Sequence, residues 1–364
     1  MSKILLICTT SNSVITFRKS LIEALQLAGH KVSVIVFDEI NKAEIENRGI
    51  EFHCIKGENR SINPFSSLSL KSKYKKLIKS ISPDIVFTFM MKPNIFGALG
   101  AVKAGVKEIF CMVEGAGDVF ANNGVKWKLL RTAVCALYRK AFKNVQKVIF
   151  LNNDDKNEFI SRKLVRPRQC EIVPGIGVDL ERFAQKPIEN NNTFLMLTRL
   201  IKTKGVIEYC DAARLVKQKY PHAKFYLVGG EGNIKASDIK QYTDDGSVEY
   251  CGHTKDVRPY LENCSVFVLP SYYREGLPMS IMEASAVGRA VITTDNVGCR
   301  DAVTDGFNGF TVDVKSASAI ADKCVYFLEN TDKIVEMGNN GRALAQQKFD
   351  KNAINEQIMR LIGA

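Results

Sequence analysis

The alternation of short apolar runs with helix-length segments constrains this chain most, because the pattern is laid down twice. In the first half the strand-like runs fall at 3–9, 32–37, 52–55, 84–89, 109–113 and 147–151, with helical spacing between several of them, as at 17–28 and 74–80. In the second half they fall at 193–198, 224–228, 247–251, 265–269, 290–293 and 309–312. Strands separated by helices predict parallel, doubly wound sheets. Two such series predict an α/β chain of two doubly wound domains, at 1–184 and 193–340. The 364 residues, 46% of them hydrophobic, suffice for two ordinary cores. Between the series, residues 185–192 are polar, rich in Asn and contain Pro187, which makes them the expected linker.

Loops after parallel strands are where open α/β sheets bind nucleotides, and two of them carry chemistry here. After the run ending Val266-Phe267-Val268-Leu269-Pro270 comes Ser271-Tyr272-Tyr273-Arg274-Glu275-Gly276-Leu277-Pro278, with Glu283 eight residues beyond Glu275. Gly276, Leu277 and Pro278 are expected to open a helix that carries Glu283 about two turns along. A helix start offers free N–H groups and partial positive charge to a phosphate. After Phe194-Leu195-Met196-Leu197-Thr198, Arg199 and Lys204 flank a loop that turns at Gly205 into a helix from about Val206 to Lys219. Two fixed cations there suit a diphosphate, Arg by bidentate contact and Lys as a point charge.

These features resemble the retaining glycosyltransferases of family 4, which implies the GT-B fold, two Rossmann-like doubly wound domains facing across a cleft. The resemblance rests on Glu275…Glu283, on Arg199…Lys204-Gly205, on Val173-Pro174-Gly175-Ile176-Gly177-Val178-Asp179 with Phe183, and on 301–309 (Asp-Ala-Val-Thr-Asp-Gly-Phe-Asn-Gly). It spans nearly the whole chain. In the first half, Ser61-Ile62-Asn63-Pro64-Phe65, Lys92-Pro93-Asn94-Ile95-Phe96-Gly97 and Val113-Glu114-Gly115-Ala116-Gly117 resemble a narrower subgroup. That subgroup adds N-acetylgalactosamine to diacetylbacillosamine on undecaprenyl diphosphate, and includes related O-antigen and capsule enzymes.

The resemblance implies retaining transfer of a sugar, N-acetylgalactosamine favoured, from a UDP-sugar to an undecaprenyl-diphosphate-linked saccharide. It implies a nucleotide-binding second domain and an acceptor-binding first domain. The last segment, 341–364, would return as a helix to the first domain. It also implies that Glu283 holds the ribose hydroxyls and that Glu275 lies near the donor sugar. Arg199 and Lys204 would neutralise the leaving diphosphate without a metal or other cofactor. Gly205, Gly276, Leu277 and Pro278 complete the donor-side candidates, and Arg18, Lys92 and Glu114 are the acceptor-side candidates. Glu114 stands where many wider-family members place a histidine. The loop Thr9-Thr10-Ser11-Asn12-Ser13-Val14 departs from the family's frequent glycine-rich form, and so lacks a dinucleotide fingerprint. A non-hydrolysing UDP-sugar epimerase of the same architecture and a non-catalytic membrane-associated scaffold are the alternatives.

Composition bounds the setting. Ten scattered cysteines without C-x-x-C argue for a reducing compartment, against a zinc site and against a disulfide framework. The run Ile4–Cys8 is too short for a signal peptide, and no run reaches the ~20 apolar residues of a membrane helix. The expectation is a cytoplasmic protein held peripherally at the inner face of the cell membrane. Residues 1–183 carry 29 Lys+Arg against 17 Asp+Glu, whereas residues 184–364 carry 22 of each. The entire excess of +12 thus lies in the first half, which suits an anionic membrane surface. Two basic stretches are candidates, 71–79 and 126–147. In the second, Trp127, Leu130, Val134, Leu137 and Ala141 recur at helical spacing among Lys126, Lys128, Arg131, Arg139, Lys140, Lys143 and Lys147. That stripe fits either the headgroup layer or the core. No nucleic-acid-binding signature accompanies the charges.

Overall fold

The structure is a computed structural model that describes residues 1–56, 64–122, 124–189 and 192–364, the side chains of 64–68 and 118 excepted. Ser61, Ile62 and Asn63 of the subgroup motif therefore lie outside the described residues. The chain divides into two compact units, Met1–Ile176 with Asn352–Ala364, and Gly177–Lys351.

The first unit is built on β1 (Lys3–Ile7), β2 (Lys31–Val36), β3 (Glu51–Cys54), β4 (Ile85–Phe89), β5 (Glu108–Val113), β6 (Lys147–Phe150) and β7 (Cys170–Ile172). Among the described residues these form one parallel sheet in the order β3-β2-β1-β4-β5-β6-β7. The second unit carries β8 (Thr193–Leu197), β9 (Lys224–Val228), β10 (Glu249–Tyr250), β11 (Val266–Leu269), β12 (Ala290–Thr294) and β13 (Gly309–Val312). These also run parallel, ordered β10-β9-β8-β11-β12-β13. Every residue of β4, β8, β11 and β12 is buried. Helices cover both faces of such sheets, so the strands read as unbroken apolar runs. β7 escapes a pattern search because it is three half-buried residues, Cys-Glu-Ile.

In each unit the strand order reverses once, between β1 and β4 and between β8 and β11. The crevice at the carboxyl ends of the strands on either side of such a reversal is the natural ligand site of the fold.

The boundary between units differs from the sequence expectation of 1–184, a linker at 185–192, and 193–340. The chain enters the second unit at Gly177 and leaves it after Lys351. Val178 N–H donates to Phe349 O at 2.7 Å, Lys351 N–H donates to Val178 O at 3.1 Å, and Lys351 pairs with Asp179 at 2.6 Å. The polar stretch is also stitched into this unit. Arg289, fully buried, donates to the carbonyls of Lys186 and Pro187 at 3.1 and 3.2 Å. Polar composition could not reveal that these carbonyls serve a buried guanidinium 103 and 102 residues away. The segment 341–364, expected as one helix, is divided. A helix Thr331–Leu344 gives way to a π-helical turn Ala345–Phe349, and a last helix follows at Lys351–Ile362. Its Ile354, Ile358 and Ile362, each four residues apart, are buried with Leu21 and Leu25 of the first unit.

The basic helix runs Val125–Phe142, shorter than the expected 126–147. Val134, Tyr138 and Ala141 are buried in the core of the first unit, and Trp127, Leu130 and Leu137 pack against it. The stripe read as a possible headgroup face is thus the core face. Lys147 lies not on the helix but at the start of β6, where it pairs with Glu171 at 2.6 Å. Arg131 is a clamp, donating from Nε to Val119 O at 2.8 Å. All ten cysteines are free.

Candidate active site

In the second unit the loops after β8 and β11 are sewn together at the reversal. Tyr272 and Tyr273 N–H both donate to Thr203 O, at 2.9 and 2.8 Å. Asn296 Nδ2 braces the second loop by donating to Tyr273 O at 2.7 Å. This brings Lys204 to Glu275, and the two form an ion pair. Ser271 Oγ donates to the same carboxylate at 3.0 Å, and Lys204 Nζ lies 5.4 Å from the Tyr273 ring centre. Their side chains remain 21% and 11% exposed, so the pair is recessed but reachable.

Two glycines make this approach possible. Gly205 has φ +80°, and a Cβ there would stand 2.2 Å from Pro270 O. Gly298 has φ +79°, and a Cβ there would stand 2.6 Å from Glu275 O. Both positions combine a left-handed backbone with no room for a side chain. Ser271, Asn296 and Gly298 were not singled out from sequence. Ser271 and Asn296 act through contacts that no local pattern encodes, and Gly298 is one glycine among 25.

The helix opened by this loop begins at Met279, after Pro278 at the cap position, and runs to Val287. Glu283 therefore sits little more than one turn in, not two. It is half-buried, and among the described residues no hydrogen-bond donor is set against its carboxylate. Desolvation pushes the carboxyl up to about 7, with the charge of Arg182 pulling the other way. Arg199 makes a different contact from the Lys204–Glu275 pair. It is exposed, and its Nε donates to Glu231 O at 3.3 Å. Gly276, Leu277 and Pro278 are buried in the loop between Glu275 and the helix.

In the first unit the acceptor-side candidates divide. Lys92 is half-buried at the start of the π-helical turn Pro93–Gly97 that follows β4. Asn94 within that turn donates to Met112 O and accepts from Thr88, both at 2.7 Å, fastening β4 to β5. Arg18 is not a surface cation. Its side chain is 4% exposed, it is ion-paired with Glu114, and its guanidinium lies 4.1 Å from the Phe89 ring centre. Burial and the pairing with Glu114 set it apart from a surface cation open to a lipid diphosphate. Glu114, 20% exposed, is the reachable member.

Among the described residues no group of three His, Cys, Asp or Glu is placed to hold a metal ion, and no helix is long and apolar enough to cross a membrane.

Comparison with known proteins places this geometry. The family described as "Glycosyl transferases group 1" matches residues 178–344, and "Glycosyl transferase 4-like" matches residues 3–152. The chain is 29% identical over 363 residues to the N,N'-diacetylbacillosaminyl-diphospho-undecaprenol alpha-1,3-N-acetylgalactosaminyltransferase of Campylobacter jejuni, covering 96% of this chain and 95% of that one. It is 30% identical over 288 residues to the UDP-Gal:alpha-D-GlcNAc-diphosphoundecaprenol alpha-1,3-galactosyltransferase of Escherichia coli, covering 74% and 72%. In fold it matches the crystal structure of Anabaena Alr3699/HepE in complex with UDP and glucose, with a TM-score of 0.81 over the whole of both chains at 19% identity. The chain belongs to the group 1, family 4 glycosyltransferases, has their GT-B fold of two Rossmann-like domains, and is a glycosyltransferase.

Proposed function

We propose that this enzyme moves an N-acetylhexosamine, N-acetylgalactosamine foremost, from its UDP-sugar to a saccharide carried on undecaprenyl diphosphate, with retention at the anomeric carbon. The reaction would serve the assembly of a surface polysaccharide or glycan. The observation that carries the reading is the Lys204–Glu275 pair at the strand reversal, beside the start of the helix that bears Glu283. The relatives named above supply the substrate class.

Lys204 and the exposed Arg199 neutralise the donor diphosphate, and the helix start at Met279 adds partial positive charge. Glu283 accepts the ribose hydroxyls. Glu275 sits by the donor sugar, where its charge matters most as the ring becomes cationic. The bond from the anomeric carbon to the phosphate oxygen breaks, and the acceptor oxygen bonds to the same face of that carbon. The acceptor proton passes to the leaving phosphate oxygen, and UDP departs. No metal is required in this scheme.

The acceptor is a membrane lipid, and the first unit carries a surface suited to its bilayer. On the helix Val125–Phe142, Val125 and Leu129 are 78% and 69% exposed, and Ala133 and Ala136 are exposed as well. Lys126, Lys128, Arg139 and Lys140 are exposed around them, and the helix has no acidic residue. A basic helix with an apolar outer stripe can rest in the headgroup layer of an anionic membrane.

Purified protein incubated with labelled UDP-sugars and an undecaprenyl-diphosphate-linked saccharide tests the proposal, with and without a chelator. Label in the lipid fraction, unaffected by chelator, is the expected result. An isomerised nucleotide sugar would mean an epimerase, and no chemistry at all would mean a scaffold. A strict magnesium requirement would overturn the metal-free mechanism.

A further inference from the structure

The buried pair in the first unit calls for its own account. Cys8 directly follows β1, Phe89 ends β4, and Glu114 directly follows β5, so three neighbouring parallel strands end at one place. Arg18, at the start of the helix Lys19–Leu27, reaches across the end of β4 to Glu114. Its guanidinium is poorly supplied with partners. One nitrogen meets Glu114, another lies 4.0 Å from Met112 Sδ, and Nε is buried with no hydrogen-bond partner among the described residues. A buried ion pair of this kind stabilises a fold little, if at all, compared with apolar residues of the same size. Its stacking on Phe89 and its contact with the Cys8 thiol are further favourable interactions.

Resting on the transferase reading above, we propose that Arg18 is a positioning residue. It fixes Glu114 in place as a carboxylate beside the strand reversal, so that the outward face of Glu114 accepts a hydrogen bond from a hydroxyl of the acceptor saccharide. The cation that sequence reading gave to the acceptor's diphosphate thus serves the carboxylate that selects its sugar. Arg18 does this from below, with no contact to substrate of its own. Fixing matters because a carboxylate held in one orientation presents its free lone pairs without first losing rotational freedom. The Cys8 thiol, which contacts Arg18, does not compete for the charge of the pair. Burial pushes the Cys8 thiol up to about 11, so it is neutral near pH 7. Tyr74, behind Cys8, is raised well above its ordinary value by burial.

The test is a set of four variants: Arg18→Met, Arg18→Lys, Glu114→Gln, and Arg18→Met combined with Glu114→Gln. Each is assayed for the KM of donor and acceptor and for UDP binding by calorimetry. Arg18→Met and Glu114→Gln should each raise the acceptor KM about 10- to 100-fold, the range of a hydrogen bond to a charged group. Donor KM and UDP affinity should stay unchanged. The double variant should be no worse than either single one, and Arg18→Lys should recover most of the loss. A second readout needs no turnover. In protein labelled with 13C at the Glu carboxyls, the Glu114 resonance should titrate at least about one pH unit higher in Arg18→Met than in the parent, because the opposite charge is gone. Losses that multiply in the double variant, an equal rise in donor KM, or an unmoved Glu114 titration would each overturn the proposal. Parent protein that binds UDP but glycosylates no lipid acceptor would instead sink the transferase reading, while the titration would still decide whether Arg18 governs Glu114.

Discussion

Each unit places a cation–carboxylate pair at the carboxyl ends of its strands, in the second unit at the reversal and in the first beside it, but the pairs are turned opposite ways. In the second unit the cation is the more open partner, Lys204 at 21% against Glu275 at 11%. In the first unit the cation is sealed, Arg18 at 4%, and the carboxylate is open, Glu114 at 20%. A reachable ammonium suits a diphosphate, and a reachable carboxylate suits a hydroxyl. On the function proposed above, the two units would owe their donor and acceptor roles to which member of the pair is buried. The surrounding charge does not assign these roles. The first half carries the entire positive excess, yet its site offers an anion.

The most severe way to break this comparison is at Lys204. Replacing it by Ala should lower kcat by roughly 10²–10³, the usual loss for one well-placed electrostatic contact, with the circular dichroism spectrum unchanged. Near-normal turnover would remove the diphosphate role and with it the donor side of the contrast. Glu283→Gln should act next, raising donor KM about 10- to 100-fold through weakened charge-assisted hydrogen bonds to the ribose. Glu275→Gln should depress kcat at saturating donor instead. If the two effects were exchanged, the carboxylates would have to exchange roles.

These residues differ in how far the sequence could disclose them. Lys204 and Glu275 lie in strand-to-helix loops and Glu283 in the helix that follows, at a spacing that marks them out, and both sheets, β7 apart, follow from their apolar runs. Arg18 was visible as a charge, but its burial depends on Phe89 and Glu114, which are 71 and 96 residues away. The same limit explains the misplaced boundary at 185–192, where Arg289 supplies the hydrogen bonds. It also explains the basic helix, whose two apolar stripes cannot be ranked from spacing alone. Periodicity shows that a face exists, and only tertiary packing shows which face is covered.

A smaller effect sharpens the donor side. Because desolvation raises the Glu283 carboxyl to about 7, its ionised form is lost as pH falls through that value. Binding of a UDP-sugar, whose diphosphate gains no proton near neutrality, should weaken about tenfold from pH 8 to pH 6. In Glu283→Gln the titration curve should be flat over that range. A curve of the same shape in both proteins would assign the dependence to another group. Smaller still is the contribution of single lysines on the outer helix face. Each basic residue near an anionic surface contributes roughly 1 kcal/mol, so Lys126→Ser or Lys140→Ser should weaken binding to vesicles containing phosphatidylglycerol about fivefold. Activity on a short-chain soluble acceptor should be spared. Equal loss on soluble and membrane acceptors would take this helix out of the docking surface.

The division of labour between the two pairs is tested most directly by hydrogen–deuterium exchange on the full chain, with and without saturating UDP. The account predicts slowed exchange in residues 199–205 and 271–283 and no change in residues 112–118. Protection of 112–118 with none at 271–283 would contradict it, because UDP would then be bound at the pair whose open member is an anion.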